Sequence, residues 1–152
     1  MIVYRLSKSK YSADLSGKGA EKAGGRWNSK GVAMVYTSAS RALCTAEVAV
    51  HVPLGIVPAD YELVTIDIPD DSVTEAHIRD LPVDWQSFPH SNSTQKFGDR
   101  FVHEGKILVL KVPSVVVQGE YNFLINPKHE EAAMVRVVNK EPFLFDKRLF
   151  IK

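Results

Sequence analysis

VAMVYTSASRALCTAEVAVHVP, residues 32–53, is the stretch on which the reading of the fold turns. Its first part, Val32–Thr37, is a short apolar run and reads as a strand. Ser38 reads as the N-cap of a helix over about residues 39–52, with Ala39, Leu43, Ala46 and Val50 on one stripe and Pro53 as its stop. To the N-terminal side, Met1–Leu6 alternates loosely and is expected to be a strand. Residues 7–31 are rich in Ser, Gly and Lys and show no hydrophobic period, so they read as a long irregular segment, the kind that is usually functional or disordered. To the C-terminal side, Tyr61–Ile68 alternates as a strand ended by Pro69, and a loop-rich stretch runs to Pro89. Ser93–Glu104 is expected to be a helix with Gly105 at its C-cap. Ile107–Val112 reads as a buried strand that Val115–Val117 extends, and Met134–Asn139 and Phe143–Phe145 read as two late strands. About six strands and two or three helices, with no repeat or linker, predict one α+β domain spanning residues 1–152.

Composition supports an ordinary folded chain. Of its 152 residues, 45% are hydrophobic and 24% charged, enough to bury about two-thirds of the unfolded surface without metals or disulfides. Nineteen Lys and Arg against 18 Asp and Glu leave a net charge of +1, so a dedicated nucleic-acid binder is not expected. The single cysteine, Cys44, cannot pair within the chain, and MIVYRLSKSK lacks a secretory h-region, so a reducing cytoplasm is the expected compartment. No apolar run reaches the length of a membrane span.

The charge is uneven along the chain. Residues 1–31 carry seven basic side chains and two acidic ones, whereas residues 60–104 carry ten acidic and three basic. Both sets can be solvated faces; alternatively the basic N-terminal part receives an anion such as a phosphorylated ligand. Glu47 lies four residues after Leu43 and so shares a side with the apolar stripe of the expected helix. A carboxylate directed inward costs several kcal/mol unless paired or hydrogen-bonded. It either reaches water at the edge of the stripe, pairs with Arg26 for stability, or meets a developing positive charge in a pocket. Arg26 sits in GGRWN, Gly24–Asn28, where two glycines let a ligand approach the backbone and the guanidinium can grip a phosphate bidentately. It can equally be a packing arginine stacked on Trp27. Tyr36 reads as a half-buried sheet tyrosine or a ligand-facing one, and Ser114, after Pro113, as a turn former or a polar site residue. The five histidines have no helical zinc spacing and Cys44 has no CxxC partner, so no metal centre is expected.

Taken together, these pieces resemble the RES domain family, named for arginine, glutamate and serine. The resemblance is carried by Tyr4–Arg5, LSGKGA at 15–20, GGRWNSKG at 24–31, VYTS at 35–38, TAEVAVH at 45–51, VPS at 112–114 and GEYNFLINPKH at 119–129. The stretch of roughly residues 70–95 is the least family-like, and no role is carried into it. Cys44–Thr45 departs from the small apolar residues more usual before the glutamate. The resemblance implies a toxin of a bacterial type II toxin–antitoxin system, with a fold similar to ADP-ribosyltransferase toxins: split mixed β-sheets around an NAD cleft. It implies NAD as substrate, cleaved at the nicotinamide–ribose bond by hydrolysis or phosphorolysis, or used for transfer of ADP-ribose to a protein. A catalytically silent binding module is the other reading. It also implies an Xre-type helix-turn-helix antitoxin that blocks the cleft within a hetero-oligomeric complex. By the same resemblance Glu47 stabilises the oxocarbenium-like centre and Arg26 holds pyrophosphate or ribose. Tyr36 orients the nicotinamide ribose, and Ser114 binds that ribose or positions Glu47. Arg5 and Asn122 are further candidates for NAD contact.

Overall fold

The computed structural model describes residues 1–152. Its strands are β1 (Ile2–Lys8), β2 (Val35–Ser38), β3 (Tyr61–Asp67), β4 (Val73–Glu75), β5 (Val109–Pro113), β6 (Tyr121–Ile125) and β7 (Arg136–Phe143). Its α-helices are α1 (Lys18–Ala23), α2 (Arg41–His51) and α3 (Asn92–Glu104). The strands form one sheet in the order β4-β5-β6-β2-β1-β3-β7, mixed because β4 runs parallel to β5 while every other pair is antiparallel. The α+β expectation holds.

The sheet is almost two sheets. β1 pairs with β3 along its whole length, from Ile2↔Asp67 to Lys8↔Tyr61, but meets β2 at the single position Tyr4↔Ser38. One half is therefore β4-β5-β6-β2 and the other β1-β3-β7, with a seam between them.

Period-two alternation gives each face its own core. Val3, Val35, Val64, Ile66, Val109, Phe123 and Ile125 fill one face, with Ile68, Leu108 and Val135 packed beside them. The other face holds Trp27, Met34, Leu110, Val112 and Leu124 against Phe101 and Val102 of α3 and Trp85. Helix α2 packs on β1 and β2, over the seam, burying Leu43 and Cys44. No helix is long and apolar enough to cross a membrane.

Several boundaries differ from the sequence reading, each for a physical reason. The N-cap of α2 is Ser40, whose side chain accepts from the Leu43 amide at 3.0 Å; Ser38 is the last residue of β2. The buried side of α2 is Leu43 and Cys44, while Val50 is 59% exposed. The irregular segment 7–31 contains α1, a helix too short to show a period. Val115–Val117 does not extend β5, because Ser114 Oγ accepts from the amides of Val116 and Val117, both at 3.1 Å, and turns the chain. One late strand, β7, runs from Arg136 through to Phe143, tolerating Pro142 because it is the sheet's edge, and Leu144 and Phe145 lie beyond it. β4 and β6 were not expected: β4 is three residues long, and β6 carries Asn122, a poor strand former, as its second residue.

Candidate active site

The site begins with alternation on β2. Tyr36 and Ser38 point to the same face, and Asn122 of β6 lies directly across from Ser38. On the far side of β6, Val112 pairs with Asn122, and Ser114 comes two residues further along the same face. The chain leaves β2, turns through Ala39 and Ser40, and enters α2, where Glu47 stands one helical turn beyond Leu43 and faces this group.

Glu47 is half-buried, and its Oε1 accepts two hydrogen bonds, from Ser114 Oγ at 2.9 Å and Asn122 Nδ2 at 2.7 Å. The direction of both is determined. The Ser114 hydroxyl has one proton and two lone pairs, and the lone pairs are taken by the Val116 and Val117 amides, so its proton can go only to Glu47. Asn122 must turn its nitrogen to the carboxylate, which can only accept, and its Oδ1 then accepts from Ser38 Oγ at 2.7 Å. No protein donor reaches Glu47 Oε2. The result is a carboxylate anchored by one oxygen and open at the other.

Arg26 approaches from the GGRWN loop. Its Nη1 donates to the carbonyls of Trp85 at 3.0 Å and Ser87 at 2.8 Å, which uses both hydrogens of that nitrogen and leaves Nε and Nη2 free for an anion. Burial holds the guanidinium below its ordinary value, and the nearby Glu47 charge acts the other way. Arg26 and Glu47 thus share one electrostatic environment without forming an ion pair.

That loop is held from two sides. Tyr36 donates its hydroxyl proton to Asn28 Oδ1 at 2.6 Å and accepts from the Trp27 amide at 3.1 Å. Burial pushes the Tyr36 phenol far above its ordinary range, so it stays protonated. A Cβ on Gly25 would stand 2.7 Å from that hydroxyl, so the second glycine of GGRWN makes room for Tyr36. From the other side, α3 presents Gln95, Gly98 and Asp99, one helical stripe. Gln95 Nε2 donates to the carbonyls of Gly25 and Asn28, and Asp99 accepts from the amide and hydroxyl of Ser29 at 2.9 and 2.6 Å. At Gly98 the loop comes so close that a Cβ would lie 1.7 Å from the Trp27 carbonyl oxygen.

The structure therefore brings Arg26, Tyr36, Glu47, Ser114 and Asn122 to one region. Arg5 has another occupation: its guanidinium donates to the carbonyls of Asp14 at 2.8 Å and Tyr11 at 2.9 Å, tying down the segment after β1. The sequence reading missed Ser38, the loop supports on α3, and the Trp85 and Ser87 carbonyls in the stretch where no role had been assigned. A signal for the α3 supports was available, since Gln95, Gly98 and Asp99 fall at i, i+3 and i+4. The backbone carbonyls left none.

The RES domain family model matches residues 2–146. Among similar proteins, a Prs ADP-ribosylating toxin of Sphingobium sp. is 39% identical over 142 residues, covering 91% of this chain and 88% of that protein. A Toxin Res of Yersinia enterocolitica is 35% identical over 151 residues, covering 98% of this chain and 99% of that one. A Toxin Res of Pseudomonas putida is 36% identical over 154 residues, covering 99% and 100%. In three dimensions the chain is similar to a chain of the M. tuberculosis MbcT–MbcA toxin–antitoxin complex, with a TM-score of 0.73 at 20% identity, over 94% of this chain and 84% of that one.

Proposed function

The chain belongs to the RES domain family, and from that premise we propose that it is a toxin that cleaves NAD at the nicotinamide–ribose bond. The observation that carries the reading is Glu47: a carboxylate fixed at Oε1 by two oriented donors and open at Oε2. Breaking the bond to nicotinamide leaves positive charge on the ribosyl carbon, as in glycoside cleavage. A carboxylate that needs no reorganisation stabilises that charge, typically by about 3 kcal/mol or more. Ser114 serves this reaction by positioning Glu47. Arg26 offers Nε and Nη2 to the pyrophosphate while its Nη1 stays tethered to the 85–87 segment. Tyr36 fixes the Arg26 loop through its hydroxyl and leaves its ring flank for the nicotinamide ribose. Arg5 shapes the segment beside the cleft.

The name of the Sphingobium relative favours a second reading, in which the ADP-ribose goes to a protein side chain. One experiment separates the outcomes: incubate the purified chain with NAD and measure free nicotinamide and the fate of ADP-ribose, with and without phosphate or a cell lysate. Stoichiometric nicotinamide release in buffer supports NAD cleavage in its own right. Release only with lysate, with label on one protein band, supports transfer. No release under either condition refutes both. As partner we infer an Xre-type helix-turn-helix antitoxin that covers the cleft in the cytoplasm; the similarity to a toxin–antitoxin complex supports a partner of that general kind.

A further inference from the structure

We propose that Ser38 is a positioning residue for Glu47, acting through Asn122, and that it performs this task at the seam of the sheet. The inference rests on the functional reading of Glu47 and extends it outward by two side chains. Ser38 is 5% exposed and is the one residue of β2 that is in register with both halves of the sheet, Asn122 on one side and Tyr4 on the other.

The chemistry is that of a two-ended lock on an amide. A primary amide has one end that only accepts and one that only donates, and the two ends have nearly the same shape. Placed beside a carboxylate, the amide helps if its nitrogen faces Glu47 and repels if its oxygen does. The carboxylate, which can only accept, draws the nitrogen toward itself, and the far end of the amide is held there by Ser38. Its hydroxyl donates to Asn122 Oδ1 at 2.7 Å, and Nδ2 then donates to Glu47 Oε1 at 2.7 Å. Ser114 is oriented independently by its own turn, so the two donors on Oε1 have separate origins. With both in place the carboxyl group is held at a single oxygen and the other oxygen is directed to the reaction.

The seam makes this lock useful. Helix α2, which carries Glu47, is tied to the β1 half through Cys44 Sγ, which donates to the Tyr4 carbonyl at 3.1 Å. Asn122 and Ser114 belong to the β5–β6 half. Glu47 therefore rides on a helix that bridges the seam, packed on both β1 and β2, and takes its hydrogen bonds from the β5–β6 half, and Ser38 stands at the position where the halves meet.

A double-mutant cycle tests the proposal on the full chain, using nicotinamide release from NAD. Ser38→Ala should lower kcat about five- to tenfold, the loss of one net hydrogen bond or slightly more, with KM within about twofold. Asn122→Ala should lower kcat by about ten- to fiftyfold, and Asn122→Asp by more, because the same shape then presents an acceptor to the carboxylate. The decisive result is the double variant Ser38→Ala/Asn122→Ala, which should be no slower than Asn122→Ala alone within about twofold. Multiplying losses, or an unchanged kcat in Ser38→Ala, would overturn the proposal. A second measurement needs no turnover: the side-chain amide signals of Asn122 in 15N-labelled protein should shift or broaden in Ser38→Ala while melting stays cooperative. Unchanged amide signals overturn the lock. If the parent releases no nicotinamide, the functional reading fails, and the amide signals still decide the role of Ser38.

Discussion

Replacing Glu47 by glutamine probes the mechanism with little change of shape, and the structure dictates how the new side chain must sit. Ser114 and Asn122 both donate to Oε1, and Ser114 cannot reverse, because its acceptor sites are filled by two amides. The glutamine carbonyl must therefore take the Oε1 position, which puts its NH2 group where Oε2 stood. Both hydrogen bonds survive with a neutral acceptor in place of a charged one, costing about 1 kcal/mol, or a few degrees of melting temperature for a chain of this size. At the reaction centre the change is far larger. A full negative charge becomes the positive end of an amide dipole, and about 3 kcal/mol or more of transition-state stabilisation disappears, at least a hundredfold in kcat. The assay is nicotinamide release with NAD affinity measured in parallel by calorimetry. The expected pattern is lost turnover, NAD binding within a few-fold, and a small shift in melting. Turnover within fivefold of the parent refutes the charge mechanism, and collapse of the fold would show that Glu47 is chiefly structural.

Three further perturbations reach other parts of the site. Arg26→Lys should weaken NAD binding about tenfold with little thermal effect, because an ammonium can hold the Trp85 and Ser87 carbonyls or an anion but not both; unchanged affinity would make Arg26 only a tether. Gly98→Ala should destabilise the chain in a urea melt by about 3 kcal/mol and weaken NAD binding, because its Cβ collides with the Trp27 carbonyl; helix propensity alone would stabilise by about 1 kcal/mol, so the sign of the change decides. Burial pushes the Cys44 thiol up to about 11 from an ordinary value of 9.0, so the folded chain holds its proton where the unfolded chain loses it. The stability this gives is complete below about pH 9 and is lost on the way to about 11, roughly 3 kcal/mol, with Tyr36 contributing only above pH 10.0. Urea melts across that window should fall less steeply for Cys44→Ala, and an identical slope would count against a buried thiol.

What the sequence disclosed was local chemistry, and what it withheld was pairing. Tyr61–Asp67 and Asn92–Glu104 match their expected bounds closely, because each carries its own period and its own stop. Arg26 and Glu47 were visible because a glycine pair beside an arginine and a carboxylate on an apolar stripe are odd within a few residues. β6 was missed because Asn122 near its start looks unfavourable until its partners are known: the residue fits a strand only with Ser38 on one end of its amide and Glu47 on the other. The valines after Ser114 looked like strand until its hydroxyl was seen to capture two amides.

The same distinction explains why this site has the architecture it does. A glutamate in the interior of a helix cannot take donors from that helix, since the amides around it are already committed to carbonyls one turn back. Its donors must come from strand or loop side chains brought alongside, and here they lie 67 and 75 residues further along the chain. The nearly divided sheet supplies both requirements. The β1 half holds α2 at the correct height through Cys44 and Tyr4, and the β5–β6 half projects Ser114 and Asn122 toward it. A continuous, fully paired β1–β2 ladder would leave less freedom to place the helix over the join. The single contact at Tyr4↔Ser38 keeps the halves in register while α2 settles across them, so the weakest pairing in the sheet lies beside the residues that most need fixed positions. The Cys44 thiol on the Tyr4 carbonyl ties the helix that leaves β2 to β1, across the seam where the backbone ladder is a single pair.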